Sequence, residues 1–176
     1  DNQYAEFSGT SMASPNVAGA AALVRQYVKE KYPEMSNQEV VDLVNQLLMS
    51  TANPIIGKNG TYSSVRGQGS GIANAYDAVK TNALLSVKDQ ARPKAELGSS
   101  EQGVYTYTMY VENIGTESIT YKLNTVTITD EYIEVDGLNY ASLTSRALSD
   151  EEVNVTYSEN VINGEITVKA NEKVEI

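Results

Sequence analysis

One short segment near the start of the chain has the residue types of a nucleophile site. A serine hydroxyl is a weak nucleophile at its free pKa and needs an adjacent base, such as a histidine oriented by an aspartate. The 176 residues include no histidine. The chain therefore supplies only part of a catalytic site, with Ser11 as its candidate nucleophile. The full segment is Gly9-Thr10-Ser11-Met12-Ala13-Ser14-Pro15-Asn16-Val17-Ala18-Gly19.

The residues around Ser11 fit a tight entry into a helix. Gly9 gives the backbone freedom for a sharp approach, and Thr10 or Ser11 can cap the helix that follows. Pro15 suits the first turn, where the N–H groups have no intrahelical partner. At a helix N-terminus, free N–H groups and the positive end of the dipole favour a developing oxyanion beside Ser11. The simpler alternative is that Ser11 only caps an alanine-rich helix.

The whole segment resembles the nucleophile segment of the subtilisin-like serine proteases, which favours the nucleophile interpretation. Asn16 departs from many relatives, which carry a histidine there that is not the catalytic base. The resemblance extends from about Tyr4 to about Ala83 and implies roughly the last quarter of such a catalytic domain. The family's aspartate, histidine and oxyanion amide would then lie upstream. We accordingly expect Asp1 to fall in the middle of a longer polypeptide.

Composition excludes several other classes of function. The net charge of −10 argues against nucleic acid or an anionic membrane as a partner. The absence of cysteine excludes a disulfide scaffold or a thiolate metal site. The apolar run Val17 to Val24 is too short for a membrane span, which needs about 20 residues. We predict no cofactor-binding or metal-binding residue in this chain, although the resemblance implies Ca²⁺ in the intact parent.

The first half of the chain has a helical pattern up to about Leu85. Apolar residues from Val17 to Val28 recur every three or four positions and predict one helix, which Lys31 and Pro33 end. Ser36 and Glu39 form the sequence pattern of a capping box and predict a second helix. A short third helix is expected near Tyr76. Residues 1–85 are predicted to be the C-terminal segment of the α/β catalytic domain.

The second half changes to a period of two. Tyr105 to Val111 alternate in character and predict a half-buried strand. Asn163-Gly164 suits a type I′ turn and predicts a hairpin. Several short strands with such turns indicate a β-sandwich. Ala83 to Lys94 is the expected linker, with Pro93 opening the first strand.

Residues 86–176 resemble the fibronectin type III-like domain that follows the protease domain in cell-envelope proteinases and C5a-peptidase-like subtilases. That resemblance is one of pattern and position and includes no catalytic motif. It implies a final strand that is cut short at Ile176. The predicted fold class is an α+β fragment, with a helical segment of a subtilisin-like domain followed by an all-β sandwich.

Two further groups of residues admit alternatives. The acidic residues Asp130, Glu131, Glu134 and Asp136 do not have the spacing of a Ca²⁺ loop, which favours a solvated turn over a metal site. The tyrosines between Tyr105 and Tyr157 would suit a carbohydrate or peptide surface. A position in the sandwich core or along a sheet edge is favoured for them.

Two hypotheses of function follow. In the first, the intact parent is a secreted or cell-surface bacterial serine endopeptidase acting on proteins or peptides, and this chain alone is inactive. In the second, the chain is a non-catalytic interaction or spacer module from a degenerate subtilase. Retention of the Ser11 hydroxyl favours the first. The apolar surroundings of the Ser11 helix also predict self-association of the isolated chain.

Overall fold

The computed structural model describes residues 5–90 and 92–176, so Asp1 and Tyr4 lie outside the described residues. The helices are α1 (Thr10–Lys31), α2 (Asn37–Ser50), α3 (Val65–Gln68) and α4 (Ala75–Lys80). The strands are β1 (Ala83–Val87), β2 (Met109–Asn113), β3 (Ile119–Lys122), β4 (Ile128–Val135), β5 (Leu138–Ala147), β6 (Glu165–Val168) and β7 (Lys173–Glu175).

The helical half follows the sequence pattern closely. Helix α1 ends at Lys31 as predicted. The capping box of α2 is confirmed, because the Glu39 N–H donates to Ser36 Oγ at 3.3 Å and the Ser36 N–H donates to Glu39 Oε2 at 2.8 Å. A first hydrophobic core lies between α1, α2 and α4, and each helix contributes one face to it. Its buried members are Val24, Val28, Val40, Val44, Leu47, Leu48, Ala78 and Leu84.

In the described residues the strands form three small antiparallel sheets. Their orders are β1-β2-β7, β3-β6 and β4-β5. A second hydrophobic core lies around Val111, Ile166 and Val168. The sequence predicted strands of this kind, whereas their closure into a fibronectin III-like sandwich remains a prediction.

Strand β1 occupies residues that were expected to be a linker. It pairs with β2 from Ala83↔Asn113 to Val87↔Met109, and the Leu85 N–H on it donates to Ser50 Oγ of α2 at 3.0 Å. The linker prediction is therefore wrong for residues 83–87. Pro93 opens no strand, since the described residues between 88 and 108 are irregular. Tyr105 likewise precedes the first residue of β2, because only residues from Met109 onward have β1 as a partner.

Two tight turns have the left-handed geometry that type I′ turns require. Asn163 and Gly164 have φ of 54° and 76°, so the turn predicted there is confirmed. The hairpin is a single residue pair, Ile162↔Glu165, because the rest of β6 has β3 as its partner. Asp136 and Gly137 have φ of 53° and 76° and join β4 to β5.

The β4-β5 hairpin corrects the interpretation of the acidic cluster as a solvated turn. Asp130, Glu131 and Glu134 lie within β4, and only Asp136 lies in the turn. Asp136-Gly137 is itself a strong sequence signal for a type I′ turn between two strands.

Candidate functional site

Ser11 lies in the first turn of α1 and is exposed to solvent. The cap position belongs to Gly9, with φ of 149°, and no side chain in the described part of the chain makes a capping hydrogen bond there. The Gly9 carbonyl instead accepts from the N–H groups of Met12 at 3.1 Å and Ala13 at 3.2 Å. The prediction that Thr10 or Ser11 caps the helix is therefore wrong. The Ser11 hydroxyl makes no capping hydrogen bond and projects from the helix start.

The position of Ser11 gives its surroundings a positive electrostatic character. The first N–H groups of an α-helix have no intrahelical acceptor, and the N-terminus has about half a unit of positive charge. The N–H of Ser11 is one of these free donors. An anionic oxygen placed beside the Ser11 hydroxyl would be stabilised by that N–H and by the helix dipole.

Pro15 lies inside α1, beyond the first turn in which it was expected. It has no N–H to donate to the Ser11 carbonyl, so one backbone hydrogen bond of the helix is absent near Ser11. Beside it, Asn16 Nδ2 donates to the Met12 carbonyl at 2.7 Å. The Asn16 amide thus stabilises the helix backbone one turn below Ser11, and this was not foreseen from the sequence.

The N-terminal half of α1 is largely uncovered. Its large apolar side chains at Met12 and Val17 are exposed, whereas the buried residues Val24 and Val28 lie in the second half of the helix. Leu23, next to Val24, is exposed on the other side of the helix. No helix in the described part of the chain is long and apolar enough to cross a membrane. Among residues 5–90 and 92–176, no three His, Cys, Asp or Glu side chains are arranged to hold a metal ion.

A second set of contacts, which we call the hairpin contact, joins the helical half to β4-β5. Arg66 Nε lies 2.5 Å from Asp130 Oδ2, and Arg66 Nη2 donates to the Ser142 carbonyl at 2.8 Å. Asn59 Nδ2 donates to the Ser145 carbonyl at 2.7 Å. Ser145 Oγ in turn donates to the Tyr62 carbonyl. These bonds hold the base of the hairpin against residues 59–66.

The hairpin contact contains one buried hydroxyl beside a carboxylate. Ser64 is fully buried, and its N–H donates to the Leu143 carbonyl at 3.3 Å. The neighbouring Ser64 hydroxyl and then the Arg66 guanidinium lower the pKa of Asp130. The hydroxyl lies near the carboxylate without reaching good hydrogen-bond geometry. Nothing in the sequence indicated that Arg66 and Asp130 form a pair, because they are 64 positions apart.

The chain is similar to known proteins over most of its length. Residues 1–85 match the Subtilase family. A C5a peptidase of Streptococcus pyogenes is 31% identical over 143 residues, which cover 80% of this chain and 12% of that relative. A PI-type proteinase of Lactococcus lactis subsp. cremoris is 32% identical over 142 residues, which cover 74% of this chain and 8% of that relative.

The matched region is a small part of each relative. The chain spans 12% or less of the length of these curated relatives. The alignments are also longer than the 85-residue family match, so they continue into the β-rich half. The chain thus contains a subtilase-like region, and the sequence similarity does not stop where that region ends.

Proposed function

Because residues 1–85 are a subtilase-like region, we propose that the chain is part of a longer serine endopeptidase in which Ser11 is the nucleophile. The observation that supports this most directly is the placement of Ser11. Its hydroxyl is exposed and makes no capping bond, and it stands at the positive end of a 22-residue helix. A serine with only a capping role would instead accept a hydrogen bond from the helix N–H groups.

In the proposed reaction, Ser11 Oγ attacks the carbonyl carbon of the scissile peptide bond. A histidine from outside this chain takes the hydroxyl proton and later donates it to the leaving amine, and an aspartate orients that histidine. The Ser11 N–H holds the oxyanion of the tetrahedral intermediate. The chain has no histidine, so it is inactive alone. In subtilisin, loss of the histidine lowers kcat by on the order of 10⁶-fold.

We assign the β-rich half to a fibronectin III-like accessory or spacer module. Two observations support this: the short antiparallel strands after residue 83, and the continuation of the alignments past the subtilase-like region. The relatives are bacterial peptidases and proteinases, which supports protein or peptide substrates and an extracellular or cell-wall location for the parent.

A fluorophosphonate probe tests the proposal, because such probes react with activated serines. The probe is incubated at neutral pH with this chain, with the full-length protein, and with a Ser11→Ala version of each. We expect labelling of the full-length protein that disappears with Ser11→Ala, and no labelling of the 176-residue chain.

The matched control is Ser14→Ala, which removes a hydroxyl one helical turn from Ser11 and should preserve the labelling. A full-length protein that folds but does not label at Ser11 would instead support the non-catalytic module. Rapid labelling of the short chain at Ser11 would show that a base is present in it and would contradict the assignment of the base to another part of the protein.

A further inference from the structure

The distal half of the β4-β5 hairpin has one uncovered apolar face. Residues directly opposite in an antiparallel pair lie on the same face, and alternate residues of each strand share it. The pairs Ile133↔Tyr140 and Val135↔Leu138 therefore form one surface, which we call the tip face. All four side chains are between 48% and 60% exposed. Four neighbouring apolar groups thus face solvent together.

The opposite face of the same strands has a different character. It comprises the pairs Tyr132↔Ala141 and Glu134↔Asn139, which place a carboxylate and an amide there. The hairpin is therefore amphipathic, although neither face is covered. In the described part of the chain, neither β4 nor β5 pairs with a third strand. A two-stranded hairpin is marginally stable alone, and contiguous exposed apolar side chains mark contact surfaces.

The base of the hairpin is already fixed to the subtilase-like region. The hairpin contact includes the Arg66–Asp130 ion pair and the bonds to the Ser145 carbonyl and hydroxyl, and Ser145 is almost fully buried there. The tip face continues from this contact along the same two strands. Its orientation is thus set by a connection to the subtilase-like region rather than by a flexible tether.

We propose that, in the intact protein, the tip face is covered by the part of the subtilase domain that lies outside these 176 residues. This rests on the proposed function, in which the chain is a piece of a longer protease. The tip face has no charged side chain, which suits a permanent internal contact better than a transient one. It also continues a contact with residues 59–66 of the same domain, and the chain includes only a small share of its relatives' length.

Thiol labelling tests this directly, since the chain has no cysteine of its own. Leu138→Cys places a thiol on the tip face, and Asn139→Cys places the matched control on the opposite face. Both variants are made in the 176-residue chain and in the full-length protein, and N-ethylmaleimide incorporation at the substituted residue is followed by peptide mass spectrometry. We expect equal rates in the short chain, and a rate at Leu138→Cys that is slower by at least about tenfold in the full-length protein.

Each other outcome identifies a different occupant and overturns the proposal. Fast labelling of Leu138→Cys in the full-length protein shows that the tip face is free. If a polypeptide substrate then slows it, the face binds substrate. Slow labelling of the short chain that depends on its concentration shows that a second copy covers the face. Tyr140→Cys repeats the test should Leu138→Cys fail to fold.

The outcome is separable from the proposed function. A full-length protein that labels at Ser11 with fluorophosphonate, but also labels rapidly at Leu138→Cys, defeats only the inference about the tip face. A protein that protects Leu138→Cys but does not label at Ser11 defeats only the proposed catalysis.

Discussion

Leu84 and Leu85 are adjacent in β1, yet their side chains pack into two different hydrophobic cores. Leu84 is buried with the helices, whereas Leu85 packs against Val111, Ile166 and Val168. Alternate residues of a strand point to opposite faces, so one strand contributes to both halves. The domain boundary predicted at residue 85 falls inside this strand, and the two halves meet along it.

Limited proteolysis should therefore nick the chain without separating the pieces. Trypsin is expected to cut at Lys88 and Lys94 in the irregular segment after β1. The pieces should co-elute in native buffer, because β1 stays paired with β2, and should separate in denaturant. Leu85→Ala should weaken their association, because the Leu85 side chain packs against the core of the other piece. Native separation of the pieces, or cleavage inside β1, would contradict the shared role of this strand.

The helical core should be sensitive to loss of one side chain. Leu47 is 2% exposed, so Leu47→Ala should lower the free energy of unfolding by about 2–5 kcal/mol through lost burial and the cavity left behind. Leu23→Ala is the matched control, because the Leu23 side chain is exposed on α1. Urea denaturation measures both. Similar losses for the two variants would show that α1 and α2 do not pack as described.

Stability should depend on the ionisation of Glu152 in acid. Arg146 donates to both carboxylate oxygens at 2.9 and 2.7 Å, and with the Ser149 N–H it lowers the pKa of Glu152 from 4.5 to about 2. A lowered pKa stabilises the fold above pH 4.5, and that contribution is lost as pH falls toward 2.

Glu152→Gln should accordingly reduce the loss of stability between about pH 5 and about pH 2.5. Urea midpoints at the two pH values give the measurement, and Glu151→Gln, an exposed neighbour, is the control. Because Glu152 is at the surface, the effect should be small and should shrink at high salt. An unchanged pH dependence in Glu152→Gln would refute the role of the ion pair.

The isolated 176-residue chain should self-associate through α1. Val17 and Leu23 are exposed on the uncovered part of this helix, and such a surface favours contact with a second copy. Leu23→Lys should shift the light-scattering mass toward that of the monomer. Gln26→Lys should not, because it replaces a side chain that is already polar. A monodisperse monomer of the unaltered chain would rule this out.

Local signals in the sequence predicted local structure well. The end of α1, the Ser36 capping box and the Asn163-Gly164 turn each depend on a few neighbouring residues, and all three are confirmed. Period-two alternation was less informative, because it describes a strand without naming its partner. Tyr105 belongs to such a pattern and yet precedes β2, since pairing with β1 begins only at Met109.

The candidate site was predictable to a similar extent. The position of Ser11 at the start of a helix followed from the residues around it, but the cap at Gly9 and the place of Pro15 did not, because the helix begins earlier than expected. The hairpin contact was not predictable. Arg66 and Asp130 come together only through the path of the chain between them, and an ion pair has no sequence signature at that separation.

The irregular segment between β1 and β2 is closed at its base, where the Lys88 N–H donates to the Thr108 carbonyl at 2.9 Å. Once the ends of a loop are held together, each doubling of its length costs only about 0.6 kcal/mol of closure entropy. Added or deleted residues would therefore leave both cores intact. We expect homologous chains to differ in length here more than anywhere else in the second half. Inserted segments that change the function should also be tolerated at this point.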